Sequence, residues 1–219
     1  MKMNSALEDL LKVMARLRSP TGCPWDREQD HESLRFHAVE EVYELMDAIE
    51  AGDDHEMREE LGDLLLQIVF HCQLAKERGA FDIVQVARHI TEKLIRRHPH
   101  VFGETKVKNV DEVWANWEKI KRAEKTGTHR ERVSALDGIP KHLPALLRAE
   151  KLLKKAHKAH LVPAAKKSAK KSSKSLLAKQ LFELASLAQS HGWCAEELLA
   201  SETKHRERQW RKLEKAKIP

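Results

Sequence analysis

Only three cysteines, Cys23, Cys72 and Cys194, are scattered over 219 residues. Their number and spacing supply neither a disulfide framework nor a metal knuckle, so a reduced, cytoplasmic protein is expected. Aromatic residues make up 5% of the chain, too few to favour an all-β sandwich or barrel. With 8 Gly and 7 Pro beside abundant Leu, Ala, Glu, Lys and Arg, the composition points to helix throughout. No apolar run approaches the roughly 18–20 residues that span a bilayer, so no membrane partner is expected. The opening MKMNSALEDLLKVMARL carries acids inside an amphipathic pattern and predicts a helix, not a cleavable signal. What the chain does have is 41% hydrophobic residues, enough to fill a core, and 34% charged ones.

The charge is unevenly distributed. Residues 1–130 hold 20 Lys and Arg against 25 Asp and Glu, whereas residues 131–219 hold 20 against 9. An acidic first part suits cations, while a basic second part suits a polyanion such as nucleic acid, or is simply a solvated lysine-rich face.

Leu7, Leu10, Leu11, Met14 and Leu17 recur at helical spacing and predict a helix over 4–18. SPTGCPWD (19–26) is expected to be a loop. Further helices are predicted from about His31 to Glu50, from Asp53 or Asp54 to Gly79, and from Asp82 to just before Pro99. Asn109 or Asp111 caps another, VDEVWANWEKIKRAEK; a hinge and a helix over 144–160 follow. AAKKSAKKSSKS (164–175) is basic and low in complexity, a linker by composition, before two last helices at 176–190 and 194–215. The expected fold class is all-α.

The sharpest chemical signal is HAVEEVYEL followed by REELGDLL. At about 100° per residue, Glu40, Glu41 and Glu44 fall within an arc of roughly 100° on one helix. Glu60 and Asp63, three positions apart, share a face of the next, and a short turn makes the two helices antiparallel. Gathered carboxylates repel one another unless a cation lies among them, and oxygen-only donors suit Mg²⁺ or Mn²⁺. No Lys or Arg lies between Arg35 and Arg58 to neutralise the first cluster locally. Spacing alone leaves two readings open, a divalent-cation site and a pair of ordinary acidic helix faces.

Lys93 and Arg97 stand at i,i+4 near a helix end, suited either to phosphate oxygens or to compensating the helix dipole. Trp117 and Lys121, again at i,i+4, combine an indole with an ammonium; Trp114 and Trp117 read equally well as core packing. His37, one turn before Glu41, can donate to a phosphate or be incidental. The Cys23-Pro24-Trp25-Asp26 loop has no second cysteine and no activating base, and a structural role is expected for it.

Together, GCPWDREQ, EEVYEL, EELGDLL, EKLIRRHPHVFG, WEKIKRAE and SALDGIPKHLPAL resemble, in order, the MazG family of nucleoside triphosphate pyrophosphohydrolases over about residues 5–150. The resemblance implies a helical bundle, completed by homodimerisation, that hydrolyses NTPs or dNTPs to monophosphate and pyrophosphate with Mg²⁺. It implies Glu41, Glu44, Glu60 and Asp63 as metal ligands and Lys93, Arg97, Trp117 and Lys121 as nucleotide contacts. Glu40 matches the motif's first acid, as an extra ligand or a base.

The second half carries a faint repeat of the first. DLLLQIVFHCQLA from Asp63 aligns with KQLFELASLAQSH from Lys179, which sets Leu176 against Glu60, Lys179 against Asp63, His205 against Lys93 and Gln209 against Arg97. The expected organisation is therefore a catalytic bundle (1–130), a hinge and connecting helix (131–163), the basic linker (164–175) and a degenerate second copy (176–219). That copy cannot hold metal. Its stripe of Leu177, Leu181, Leu184, Leu187 and Leu198 packs within the chain or against a second copy.

Overall fold

A computed structural model describes residues 3–128, 131–163 and 173–216, with the side chains of residues 3–5 and 122 left aside. Among the described residues there are helices and turns and no strand. Two compact units divide the chain, Met1–Trp117 and Glu118–Pro219.

The first unit begins with α1 (Met3–Leu17), the short α2 (Pro24–Glu28) and a 3₁₀ turn (Ser33–Arg35). Two long helices follow, α3 (His37–Ala51) and α4 (Asp54–Glu77), packed on each other. Next come α5 (Ile83–Arg97), the single-turn α6 (Pro99–Phe102) and α7 (Val110–Ala123), which runs across the unit boundary. Local chemistry explains the ends. Gly52 closes α3, and the Asp53 carboxylate accepts the His55 and Glu56 amides to open α4. Asp82 and Gln85 form a reciprocal capping box on α5, and Pro99 stops it.

Met14, Leu34, Val69, Phe70 and Leu74 form the core of this unit, supported by Leu10, Leu11 and Leu66. Beside it, the Arg18 guanidinium grips the Glu77 carboxylate with two bonds of 2.9 and 2.7 Å and lies 5.5 Å from the Phe70 ring. The same group donates to the carbonyls of Asp26 and Gln29, so one side chain ties the end of α1, the end of α4 and the loop between α1 and α3. That loop turns where only glycine fits: a Cβ on Gly22 would stand 2.0 Å from the Leu17 carbonyl oxygen.

Three expectations need correction. The helix expected from His31 starts at His37, because the Asp30 carboxylate accepts the Glu32 and Ser33 amides at 2.8 Å each and folds 33–35 into a separate turn. The loop expected at 19–26 contains the start of α2, with Pro24 in the first turn, where a missing N–H costs nothing. The basic linker is shorter than 164–175: Ser173 Oγ accepts the Leu176 amide at 3.1 Å and caps α9, which begins at Lys174. Residues 164–172 of that linker lie outside the described residues.

The second unit holds α8 (Ala145–Lys158), α9 (Lys174–Ser190) and α10 (Ala195–Ala216). Leu136, Leu152, Ala156, Leu161 and Trp210 are its core. The segment expected as a hinge is thus partly core. Leu136 is fully buried, and Glu214 accepts the Ala135 amide at 2.7 Å while Asp137 pairs with Arg211 at 2.7 Å.

The turn between α9 and α10 repeats the one between α4 and α5. Gly79 and Gly192 have φ of 68° and 71°, and the Ala80 and Trp193 amides each reach back 2.9 Å, to Ala75 O and Ala188 O. Matching these turns sets Leu176 against Asp63 and Ser173 against Glu60, three residues from the sequence alignment. His205 and Gln209 stay opposite Lys93 and Arg97 when the first helical bonds, Val86 to Asp82 and Leu198 to Cys194, are matched.

Candidate metal centre

On α3, Glu41 and Ala48 are seven residues apart and so point the same way, and Ala48 is buried. Glu41 is therefore on the face nearest α4, where Glu60 and Asp63 sit one turn apart. Ligand oxygens of Glu41, Glu60 and Asp63 lie within 4.8 Å of one another, each residue half-buried. Glu44, one turn on, is exposed, yet close enough to hydrogen-bond Glu41 and to act on Glu60 through its charge.

Burial lifts the Glu41 carboxyl above the usual carboxylate range, and the charges of Asp63 and Glu44 lift it further; a hydrogen bond from Gln67 opposes them. Glu60 is raised by burial too, then by Glu44, Asp63 and Glu41. One of its oxygens, Oε2, is buried with no hydrogen-bond partner. Without a cation this arrangement is poor: like charges close together, proton affinities raised, a buried acceptor unsatisfied. All three features fit a hard divalent cation, which takes oxygen donors and offsets their mutual repulsion. No zinc-type nitrogen or sulfur donor belongs to the group.

Other expected residues fall around it or elsewhere. Adjacent residues on a helix point about 100° apart, so Glu40 is not in the group with Glu41. Its carboxylate instead lies 3.8 Å from His37 Nδ1, both side chains well exposed. Lys93 and Arg97 share one face of α5, and the Arg97 guanidinium stands 5.2 Å from the Trp117 ring, a cation–π contact. Trp114 meets Trp117 edge-on at 5.7 Å but is 59% exposed, so core packing does not account for it. Lys121, in the second unit, lies 3.8 Å from Glu118.

Two features escaped the sequence reading. Gln67 is buried at the edge of the acid group, where its amide steadies Glu41. Its signal was there: a lone polar residue inside LLLQIVF, one turn after Asp63. The other is a stacked pair, His31 and His71, with ring centroids 5.1 Å apart and Nδ1 atoms at 2.9 Å. Burial, and then the His31 charge, hold His71 below the usual imidazole range. Forty positions separate these histidines, and no local pattern links them.

An acid-lined pair of packed helices in an all-α unit defines a candidate divalent-cation site. The family match is more specific than that. Residues 29–102, which include all three clustered acids, match the MazG nucleotide pyrophosphohydrolase domain. A nucleoside triphosphate pyrophosphohydrolase of Escherichia coli K12 is 47% identical over 150 residues, spanning 68% of this chain and 56% of that protein. A Thermotoga maritima protein named nucleoside triphosphate pyrophosphohydrolase/pyrophosphatase MazG is 48% identical over 149 residues, again 68% of this chain and 56% of its own. An uncharacterized Bacillus subtilis protein, YabN, is 50% identical over 142 residues, 65% of this chain and 28% of its own. The chain thus spans about half or less of these relatives. No helix among the described residues is long and apolar enough to cross a membrane.

Proposed function

We propose that the first unit hydrolyses nucleoside triphosphates, NTP or dNTP, to nucleoside monophosphate and pyrophosphate. The observation that carries this reading is the group of Glu41, Glu60 and Asp63 oxygens within 4.8 Å, inside the stretch that matches the MazG domain. Glu41, Glu60 and Asp63, with Glu44 beside them, would hold Mg²⁺, with Mn²⁺ as the substitute. Bound there, the ion supplies charge neutralisation at the triphosphate and a more acidic water.

The chain's own groups do the rest. Glu40 stands outside the cluster and keeps its carboxylate for proton work, taking the proton of the water that attacks the α-phosphorus. The bond from that phosphorus to the bridging oxygen breaks, and pyrophosphate leaves with the electron pair. Lys93 and Arg97 offset the charge that grows on it, Arg97 being steadied over Trp117. His37 donates to a phosphate oxygen, and Trp117 contacts the nucleotide. No covalent enzyme intermediate is needed.

Two further parts belong to this reading. The α3 face opposite the acids leaves Val39, Tyr43 and Met46 about half exposed, in keeping with a homodimer that covers them. The α9–α10 hairpin is a degenerate copy of α4–α5 without carboxylates at the matching positions, and is catalytically silent.

A ³¹P NMR assay with a panel of NTPs and dNTPs in Mg²⁺ tests the reaction. Monophosphate and pyrophosphate are expected in equal amounts. Orthophosphate and nucleoside diphosphate as first products, or no turnover of any triphosphate, contradict the reading.

A further inference from the structure

The loop between α1 and α3 is braced far more heavily than its burial requires. Gly22 lets the backbone close on Leu17, whose carbonyl accepts the Cys23 amide at 2.8 Å. Arg18 holds the Asp26 and Gln29 carbonyls, Arg27 reaches Pro20 O at 3.1 Å, and Gln29 Nε2 donates to Trp25 O at 3.0 Å. Yet α2, which these bonds fix, has no buried residue, and Trp25 at its second position is 53% exposed. Ordering a segment costs conformational entropy that burial normally offsets. Here the ordering fixes the position of an indole left in water.

That position is beside the acid-bearing helix. The Trp25 ring meets His37 edge-on, centroids 6.2 Å apart at 70°. His37 is one turn before Glu41 on α3, and its Nδ1 lies 3.8 Å from Glu40. With about half of its surface exposed, the indole is open to a ligand, and flat indole faces bind nucleobases by stacking. Through His37, Trp25 thus borders the helix that carries Glu41.

We propose that Trp25 is a base-stacking residue of the active site: its indole receives the heterocycle of a nucleoside triphosphate whose phosphates lie at Glu41, Glu60 and Asp63. This rests on the function proposed above and revises the purely structural role expected of the GCPWD loop. The contact is a π-face and carries no donor–acceptor code. It therefore favours large rings over small ones and does not distinguish bases by their edges.

Steady-state hydrolysis by wild-type protein, Trp25→Ala and Trp25→Phe is the test, with ATP, CTP and the base-less methyl triphosphate as substrates in Mg²⁺. Trp25→Ala is expected to lower kcat/KM for ATP by about 10- to 100-fold through KM, and for CTP by less. It leaves methyl triphosphate unchanged, and Trp25→Phe recovers most of the loss. Binding of an α,β-methylene analogue of ATP, followed by equilibrium dialysis, is expected to weaken by a similar factor. Equal losses on ATP and methyl triphosphate reveal a structural role and overturn the proposal, as does no loss on either. A wild-type protein that cleaves none of the three overturns the functional reading and this inference with it; an active wild type whose variants show no base dependence overturns the inference alone.

Discussion

Glu41→Gln is expected to cut pyrophosphate release by about 10²–10³-fold, the scale seen when one preorganised electrostatic partner is removed. Its signature is that stability moves the other way. Glu41 is raised by burial and by Asp63 and Glu44, so in the folded protein it holds its proton more tightly than in the unfolded chain. As pH rises from the ordinary carboxylate value of about 4.3 through the raised one, the folded state loses stability relative to the unfolded. Gln carries no charge and still accepts the Gln67 hydrogen bond. Metal-free Glu41→Gln should therefore melt at or above the wild-type temperature at pH 7, with the gap closing toward pH 4. Calorimetry with and without Mg²⁺ checks this: Mg²⁺ should raise the wild-type melting temperature more than that of the variant. A variant that loses activity because it unfolds would melt lower, and the site assignment would lose its support.

Arg18→Ala should lower stability by about 2–4 kcal/mol in urea unfolding. Breaking a fully buried ion pair costs roughly 3–5 kcal/mol. The Arg18 side chain is 9% exposed and that of Glu77 36%, which lowers the figure. The loss includes two carbonyls of the GCPWD loop left without their donor. Glu77 is held below the usual carboxylate range, first by its hydrogen bond from Arg18. A depressed carboxyl stabilises the fold fully above the unfolded value of about 4.3 and loses that contribution as pH falls through the folded one. The difference between wild type and Arg18→Ala should accordingly shrink below about pH 4. A difference that stays constant to lower pH would mean that Glu77 contributes nothing to it.

Much of this was legible in the sequence, and for physical reasons. Helices of 14 to 24 residues with apolar periodicity declare themselves, and Asp53, Asp82 and Gly79 mark their ends because orphan backbone groups need partners. The three clustered acids were legible because helix spacing fixes their direction. The exclusion of Glu40 follows from the same 100° step, once Ala48 shows which way α3 faces. What stayed hidden depends on contacts between distant residues. Arg18 reads as one more surface cation until Glu77 and Phe70 stand beside it, and Leu136 reads as part of a hinge until Trp210 closes over it. The short helices at Pro24 and Pro99 were missed because proline breaks a helix interior but fits its first turn. GCPWD read as a structural turn because a sequence shows that Trp25 is there, but not that its ring is left half in water.

Mn²⁺ titration followed by electron paramagnetic resonance tests the central claim most directly, since it reads the ion and not the turnover. Wild-type protein is expected to bind Mn²⁺, with affinity rising when a non-hydrolysable nucleoside triphosphate is present. Protein carrying Glu41→Gln, Glu60→Gln and Asp63→Asn together should leave the ion free in solution. Mn²⁺ bound equally well by that triple variant, correctly folded by circular dichroism, would contradict the account.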